Sequence, residues 1–151
     1  MLTTSTNKGF TLFIAIIVMG TLLLVAVGLV SLAVRQALIS ASGRESQHAF
    51  YAADSGIECA LYWDVQNPSG TSAFATSTSS GINCNNQIMT VGGAPLSTFT
   101  FNFSPDPYCA VITVTKAYVG SVLVTTIESK GYNTCDSSNP RRLERAVRAI
   151  Y

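Results

Sequence analysis

The stretch FTLFIAIIVMGTLLLVAVGLVSLAV, residues Phe10–Val34, contains no charged side chain. As a helix it would rise ~37 Å, which is enough to cross a hydrocarbon core of ~30 Å with some tilt. The apolar core of a secretory signal peptide is only ~7–15 residues long. The run therefore predicts a membrane-spanning helix that begins close to the start of the chain.

The helical pattern continues beyond this run. Residues 35–64 contain no proline, and apolar residues recur there every three or four positions, at Ala49, Ala53, Ile57, Ala60 and Leu61. This spacing is typical of a helix with one buried face. The first strong stop is Asn67-Pro68-Ser69-Gly70, so we expect one helix from about Phe10 to Trp63. Gly56 weakens it, at ~1 kcal/mol relative to alanine.

The four cysteines follow the apolar run and are widely separated: Cys59, Cys84, Cys109 and Cys135. Zinc sites usually take two ligands from one tight turn, so this spacing argues against zinc. An even number of dispersed cysteines predicts two disulfides in an oxidising compartment. Of the three connectivities, we favour pairing between neighbours, Cys59–Cys84 and Cys109–Cys135. The cysteines also place the C-terminal part outside the cytoplasm, although Arg35 and Arg44 after the run favour the opposite orientation.

The C-terminal half predicts a small antiparallel sheet. Thr71–Gly81 has no periodicity and is expected to be a loop. Period-two patterns follow at Ile88–Val91, Thr98–Phe103, Ala110–Tyr118 and Ser121–Ser129. The turn from Tyr118 to Ser121 predicts a hairpin between the last two of these strands. The final segment, Leu143–Tyr151, fits either a helix or a strand. The expected fold class is α+β, with one long N-terminal helix packed on a sheet of four or five strands.

Residues that could carry chemistry are few. Charged residues make up 11% of the chain and its net charge is +1, so bulk electrostatics give no argument for a nucleic-acid partner. The single histidine, His48, has no predicted partner for a catalytic or metal site, and no nucleotide-binding or hydrolase motif occurs. We therefore expect no enzyme activity, cofactor or metal site.

One basic cluster occurs near the end of the chain and consists of Arg141, Arg142, Arg145 and Arg148. The simpler interpretation is the solvated face of a strand, with Glu144 nearby. The alternative is a patch that contacts DNA or another polyanion, and its binding would be sensitive to salt.

The start of the chain resembles a known family. Gly9-Phe10-Thr11-Leu12 before a long apolar helix resembles the prepilin signature of type IV pilins and type II secretion pseudopilins. The segment Gln47–Glu58 resembles the N-terminal segment of minor pilins with PilX-type N-termini. The resemblance implies that a membrane peptidase cuts between Gly9 and Phe10 and methylates Phe10. It also implies a pilin-like fold, in which Leu143–Tyr151 closes the sheet as a strand.

The resemblance also implies an organisation and a set of partners. Residues 1–9 would be the leader, 10–34 the transmembrane half of the stem, 35–64 its amphipathic half and 65–151 a disulfide-containing β-domain. The partners would be other pilins through the stem helix, the prepilin peptidase and the lipid of the inner membrane. The subunit would sit in that membrane as a single-pass protein before assembly and in an extracytoplasmic filament afterwards.

One residue departs from the pattern of major pilins. The fifth residue of the mature chain, normally glutamate in that family, is Ile14 here. In the family this glutamate is thought to pair with the terminal amine of a neighbouring subunit, because a buried ammonium group is costly without a partner. Its absence favours a minor or tip subunit. A different class remains open, an uncleaved bitopic membrane protein with a small extracytoplasmic sensor or binding domain.

Overall fold

The computed structural model describes residues 8–151, so residues 1–7 of the predicted leader lie outside the described part of the chain. The chain divides after Ser42 into two compact units. One helix, α1 (Lys8–Val65), crosses this division, and six strands follow it. The fold is α+β, with a long N-terminal helix and antiparallel sheets, as the sequence predicts.

In the first unit, every described side chain from Phe10 to Ser42 is exposed. This part of α1 is long and apolar enough to cross a membrane. Three hydroxyl groups in this part of the helix, those of Thr21, Ser31 and Ser42, donate hydrogen bonds to carbonyl oxygens three residues earlier, at 2.8–2.9 Å. Their polar groups are thereby satisfied within the helix, as an apolar environment requires.

The predicted end of the helix is confirmed. α1 ends at Val65, and the last helical bond runs from the Gln66 N–H to the Tyr62 carbonyl, 2.9 Å. The Asn67 side chain then accepts the Ser69 N–H at 3.1 Å and donates to the Thr71 carbonyl at 2.7 Å. This local turn competes with further helix, and Pro68 cannot continue one.

The strands form two antiparallel sheets. β1 (Ser79–Cys84) pairs with β2 (Gln87–Gly92) in the first. The second has the order β3-β4-β5-β6 and consists of β3 (Leu96–Asn102), β4 (Cys109–Val119), β5 (Val122–Tyr132) and β6 (Glu144–Ile150). The predicted hairpin between β4 and β5 is confirmed, with Gly120 and Ser121 between the paired residues Val119 and Val122.

Two details of the sequence prediction were wrong. The sheet was expected to be single, and Thr71–Gly81 was expected to be a loop, whereas β1 begins at Ser79. The first residues of β1 are too polar to show a strand pattern, but Ile82 and Cys84 are 1% and 3% exposed and alternate into the core. A turn between β1 and β2 uses two residues with positive φ, Asn85 and Asn86 (49° and 59°). An Asn pair of this kind suits a tight hairpin turn.

The last segment is a strand, as the resemblance implied, and it runs beside β5. Tyr151 extends the pairing beyond β6, since its N–H donates to the Thr125 carbonyl and its carbonyl accepts the Thr125 N–H, at 3.0 and 2.7 Å. Val147 and Ala149 pack against the core, while Arg148 and Ile150 are exposed. The segment therefore has the period of two that a strand gives to its side chains.

The second unit has its core between the last part of α1 and the larger sheet. The helix contributes small side chains, with Ala49, Ala53 and Ala60 fully buried. The sheet contributes larger ones, among them Ile112, Val114 and Ile127. A helix with an alanine face can approach a sheet closely, and two glycines mark the nearest points.

At Gly131 on β5, an added Cβ would lie within 3.0 Å of the Ala49 carbonyl oxygen and the Ala53 nitrogen. At Gly56 on the helix, an added Cβ would lie within 3.0 Å of the Ser129 hydroxyl oxygen and of the Ile112 side chain. Real Cβ atoms essentially never come so near. Gly56, which weakens the isolated helix, is therefore required by the packing.

We predict that Gly131→Ala lowers the free energy of unfolding by about 3 kcal/mol, because the backbone of α1 would have to move away from β5. Denaturant unfolding of the full chain in detergent, followed by the fluorescence of Trp63, measures this. Gly81→Ala is the matched control, since a Cβ at this strand glycine meets nothing within 4 Å. Equal stability of the two variants would contradict the close contact.

Candidate functional site

Helix α1 is the candidate functional site, because the predicted processing site, the predicted membrane segment and an exposed face with apolar side chains all lie on it. The predicted cleavage site, Gly9–Phe10, lies in the first turns of the helix. Ile14 presents an apolar side chain that is 44% exposed. Among the described residues, a Cβ at Gly20 or Gly28 would meet nothing within 4 Å, so neither glycine is required by a contact in that part of the chain.

In the second unit, the side of α1 that lies opposite its buried alanines is exposed. Phe50, Tyr51, Tyr62 and Val65 line this face together with two carboxylates, Glu58 and the half-buried Asp54, which have no ion pair among the described residues. Tyr51 and Val65 are 63% and 66% exposed. Aromatic and aliphatic side chains at helical spacing on a solvent face are typical of a protein–protein contact.

Three groups of contacts fix the helix to the β-domain. The first lies at Cys59, which forms a disulfide with Cys84 at the end of β1. One helical turn later, the Trp63 indole N–H donates to the Asn83 carbonyl at 3.1 Å. The small sheet of β1 and β2 is thus attached to the helix by a covalent bond and a hydrogen bond.

The second group surrounds Asp64, whose side chain is 3% exposed. Its carboxylate forms an ion pair with Lys116 on β4, 2.7 Å from Oδ1 to Nζ, and accepts the Tyr151 hydroxyl at 2.5 Å. The Ser72 hydroxyl also donates to it. The last turn of α1 is thereby joined to β4, to the end of the chain and to the loop after the helix.

The charge of Asp64 depends on these partners. Burial alone would raise its pKa, but the hydrogen bonds from Lys116, Ser72 and Tyr151, together with the charge of Lys116, outweigh burial and hold the pKa below its usual value. Burial and the same hydrogen bond raise the pKa of Tyr151 above its ordinary value. Both pKa shifts favour an ionised Asp64 carboxylate that accepts a hydrogen bond from a neutral Tyr151 hydroxyl.

The third group lies at the start of the second unit. The Asn133 amide donates to Glu45 Oε2 at 3.1 Å, and its carbonyl oxygen accepts the Leu143 N–H at 2.6 Å. The Arg145 Nε donates to the Ser46 hydroxyl at 2.8 Å. In addition, the rings of His48 and Tyr108 stack with centroids 4.5 Å apart, so His48 has a packing partner that the sequence did not reveal.

The four arginines of the predicted polyanion patch have different surroundings. Arg142 lies 3.7 Å over the ring of Tyr132, and Arg145 contacts the helix at Ser46. Arg148 lies directly across from Glu128 on β5, and Arg141 is exposed. Because Arg145 and Arg148 are three positions apart on a strand, they lie on opposite faces of the sheet. This arrangement favours the solvated-strand interpretation over a single patch.

The remaining cysteines lie close together. Cys109 is buried and Cys135 is exposed, and both carry free thiols. The Cys135 N–H donates to the Pro107 carbonyl at 2.9 Å, and its sulfur lies 3.6 Å from Asn102 Oδ1, while Asn102 is the direct partner of Cys109 in the sheet. Burial, with the hydrogen bond and charge of Cys135, raises the pKa of the Cys109 thiol to about 12.

We predict that Asp64→Asn lowers the free energy of unfolding at pH 7 by about 3 kcal/mol, because Lys116 would remain buried without its counter-charge. The pKa of Asp64 is lowered in the folded state, so its contribution is present above the unfolded pKa of ~3.9 and is lost as the pH falls below it. Unfolding curves between pH 7 and pH 3 measure both effects.

The control is Asp106→Asn, which removes an exposed carboxylate that has no ion pair among the described residues. The wild type and this control are expected to lose stability toward pH 3 more steeply than Asp64→Asn. Parallel pH profiles for all three proteins would show that Asp64 does not hold the helix to the sheet.

Comparison with known families adds one finding. Residues 8–58 match the family described as PilX N-terminal. No curated protein and no solved structure matches the chain. The match covers the helix up to Glu58, about a third of the chain, and does not extend into the β-domain. The chain therefore has a type IV pilin-like N-terminus over residues 8–58.

Proposed function

We propose that the chain is a minor pilin or pseudopilin, a structural subunit of a type IV pilus-like filament, and that it occupies the tip. The observation that carries this proposal is the match to the PilX N-terminal family over residues 8–58, which begins at the predicted cleavage site. The exposed apolar stem from Phe10 onward supports it, because such a helix requires lipid or other stems around it.

The proposed subunit passes through two stages, insertion in the membrane and then assembly into the filament. The chain is first inserted in the inner membrane, with residues 10–34 as the spanning segment and residues 65–151 as an extracytoplasmic β-domain. The peptidase then removes residues 1–9 and methylates Phe10. The stem leaves the lipid and packs against other stems, where apolar burial and dispersion replace the contacts with lipid.

The exposed face of α1 in the second unit supports a role in assembly. Phe50, Tyr51 and Tyr62 are 48%, 63% and 46% exposed, and they lie on the same helix as the proposed stem. Ile14 supports the tip position, because a subunit with no neighbour ahead of it has no terminal amine to neutralise. The function is therefore assembly and display.

We predict that Gly9→Val blocks removal of the leader in the native host, because a branched side chain would occupy the position before the cleaved bond. Peptide mass spectrometry of the N-terminus, with the amount of the chain in sheared filaments, measures this. Gly20→Val is the control, since this stem glycine has open space around it and lies away from the cleavage site. Normal processing and normal incorporation of Gly9→Val would refute the proposal.

We also propose that Cys109 and Cys135 form the second disulfide in an oxidising compartment. Closing the bridge removes two protons and two electrons, which a disulfide-bearing oxidoreductase accepts by thiol–disulfide exchange, and the exposed Cys135 is the thiol that it can reach first. The bond would join the loop before β6 to the start of β4. It is independent of the bond between Cys59 and Cys84.

We predict that non-reducing peptide mapping of protein from host membranes finds a Cys109–Cys135 peptide beside Cys59–Cys84. Alkylation before digestion prevents exchange between the cysteines during the measurement. Alkylated Cys109 and Cys135 in the mature protein, or a peptide that links either of them to Cys59, would contradict the proposed pairing.

A further inference from the structure

A cleft of about 210 Å³ lies between helix α1 and the loop that joins β3 to β4, and it is called the aromatic cleft. Ala52 on the helix is 2% exposed, and its small side chain leaves the space open. The cleft lies within the second unit and shares no residue with the Asp64 network. Its other lining residues are His48, Tyr51 and Ser55 from the helix, with Phe103, Asp106 and Tyr108 from the loop.

The loop wall of the aromatic cleft is held in place by its own backbone. The Phe103 N–H donates to the Tyr108 carbonyl at 3.0 Å, and the Asp106 N–H donates to the Phe103 carbonyl at 2.7 Å. The Pro107 carbonyl accepts the Cys135 N–H at 2.9 Å. A proline on each side of Asp106 restricts the backbone further. A wall that is already ordered lowers the entropic cost of binding a ligand.

Aromatic rings supply much of the lining. Tyr51, Phe103 and Tyr108 contribute three rings, and the His48 ring stacks on Tyr108 with centroids 4.5 Å apart. This stack joins the helix wall of the cleft to the loop wall. Tyr51 is 63% exposed, so its ring is open to a ligand from solvent. The face of an aromatic ring carries partial negative charge and attracts a cation.

The charges at the cleft also favour a cation. Asp106 is the only carboxylate in the lining, and it has no ion pair among the described residues. Two more carboxylates without such a pair, Asp54 and Glu58, lie on the same helix. No lysine or arginine occurs from residue 45 to residue 115, the stretch that contains the whole lining. Arg44 lies one helical turn before His48 and is exposed, so its charge is screened by water.

The lining further distinguishes between kinds of cation. A primary ammonium group is compact and strongly hydrated, and removing its water is costly unless several acceptors replace it. The cleft offers the Asp106 carboxylate, the Ser55 hydroxyl and the tyrosine hydroxyls, while its remaining surface consists of rings and Ala52. A trimethylammonium group needs no hydrogen bond, and its methyl groups pack against ring faces.

We propose that the aromatic cleft binds a trimethylammonium group such as that of choline. Tyr51, Phe103 and Tyr108 contact the methyl groups, and the Asp106 carboxylate faces the positive charge. The same group occurs in free choline and in the headgroup of phosphatidylcholine. Because the carboxylates near the cleft repel a phosphate, the free cation binds better than the lipid headgroup. This binding does not depend on removal of the leader or on filament assembly.

The test uses the full chain in dodecyl maltoside, a detergent without an ammonium group, at constant pH 8. His48 is the only histidine, so its ring in histidine-labelled protein gives one NMR signal that reports on the cleft. We expect choline to shift this signal with a Kd of about 5 mM. Dimethylbutanol, the neutral isostere in which carbon replaces the nitrogen of choline, is expected to bind at least about fivefold more weakly.

Two pairs of variants locate the site. Tyr51→Leu keeps an apolar side chain but removes a ring, and it is expected to weaken choline binding about threefold. Tyr62→Leu is its matched control, since Tyr62 is 46% exposed on the same helix and lies outside the cleft. Asp106→Asn is expected to weaken binding about fivefold. Glu128→Gln is the control for charge, because it removes a carboxylate on β5 that does not line the cleft.

The comparison of choline with dimethylbutanol uses the unaltered chain, so it remains decisive if a variant unfolds. Equal affinity for the two, equal losses in Tyr51→Leu and Tyr62→Leu, or a His48 signal that choline does not move would overturn the proposal. Tighter binding of butylammonium than of choline would overturn it in favour of a primary amine. Soluble dibutyroylphosphatidylcholine identifies the source: weaker binding than choline supports the free cation, and tighter binding overturns that choice in favour of the lipid headgroup.

Discussion

The contact between helix α1 and strand β5 determines how the second unit is built. At Gly131 the backbone of the strand meets the backbone of the helix near Ala49 and Ala53, with no room for a methyl group. The helix can lie this close because alanines and Gly56 make up most of its inner face, beside Ile57. Small residues contribute little hydrophobic area themselves, so the larger side chains of the sheet fill the core around them.

This closeness explains why polar groups stabilise the edges of the contact. Asp64, Lys116 and Tyr151 meet at the last turn of α1, where the ion pair is buried. At the other end, Glu45 and Asn133 are joined by a hydrogen bond. A buried ion pair is weak evidence for stability by itself, but removing one partner is strongly destabilising. These contacts therefore fix the position of the helix more than they supply the free energy of folding.

The parts of the fold that could be predicted from sequence are those with a local pattern. The helix was predictable because its apolar run and its later period depend on neighbours in the sequence, and the stop at Asn67–Gly70 is equally local. β1 was missed because its first residues are polar, and the Asn85-Asn86 turn was the signal that could have revealed it. The role of Gly56 could not be seen, because it depends on Ile112 and Ser129, which are distant in sequence.

The candidate site likewise has a part that could be predicted from the sequence and a part that could not. The stem and its predicted cleavage site follow from consecutive residues, whereas the Asp64 network joins residues that have no common motif. The arginine cluster shows the opposite case, in which residues close in sequence lie on different faces of the sheet. A strand sends Arg145 and Arg148 to opposite faces, and the expected strand over Leu143–Tyr151 already contained this information.

A stem with an exposed apolar surface and a β-domain packed closely against the last turns of α1 are consistent with the proposed filament subunit. The measurement that tests this account most directly is intact-mass and N-terminal peptide mass spectrometry of the protein from membranes of its native host. The account predicts a mature chain that begins at methylated Phe10. A chain that begins at Met1 would contradict it and would favour an uncleaved bitopic membrane protein.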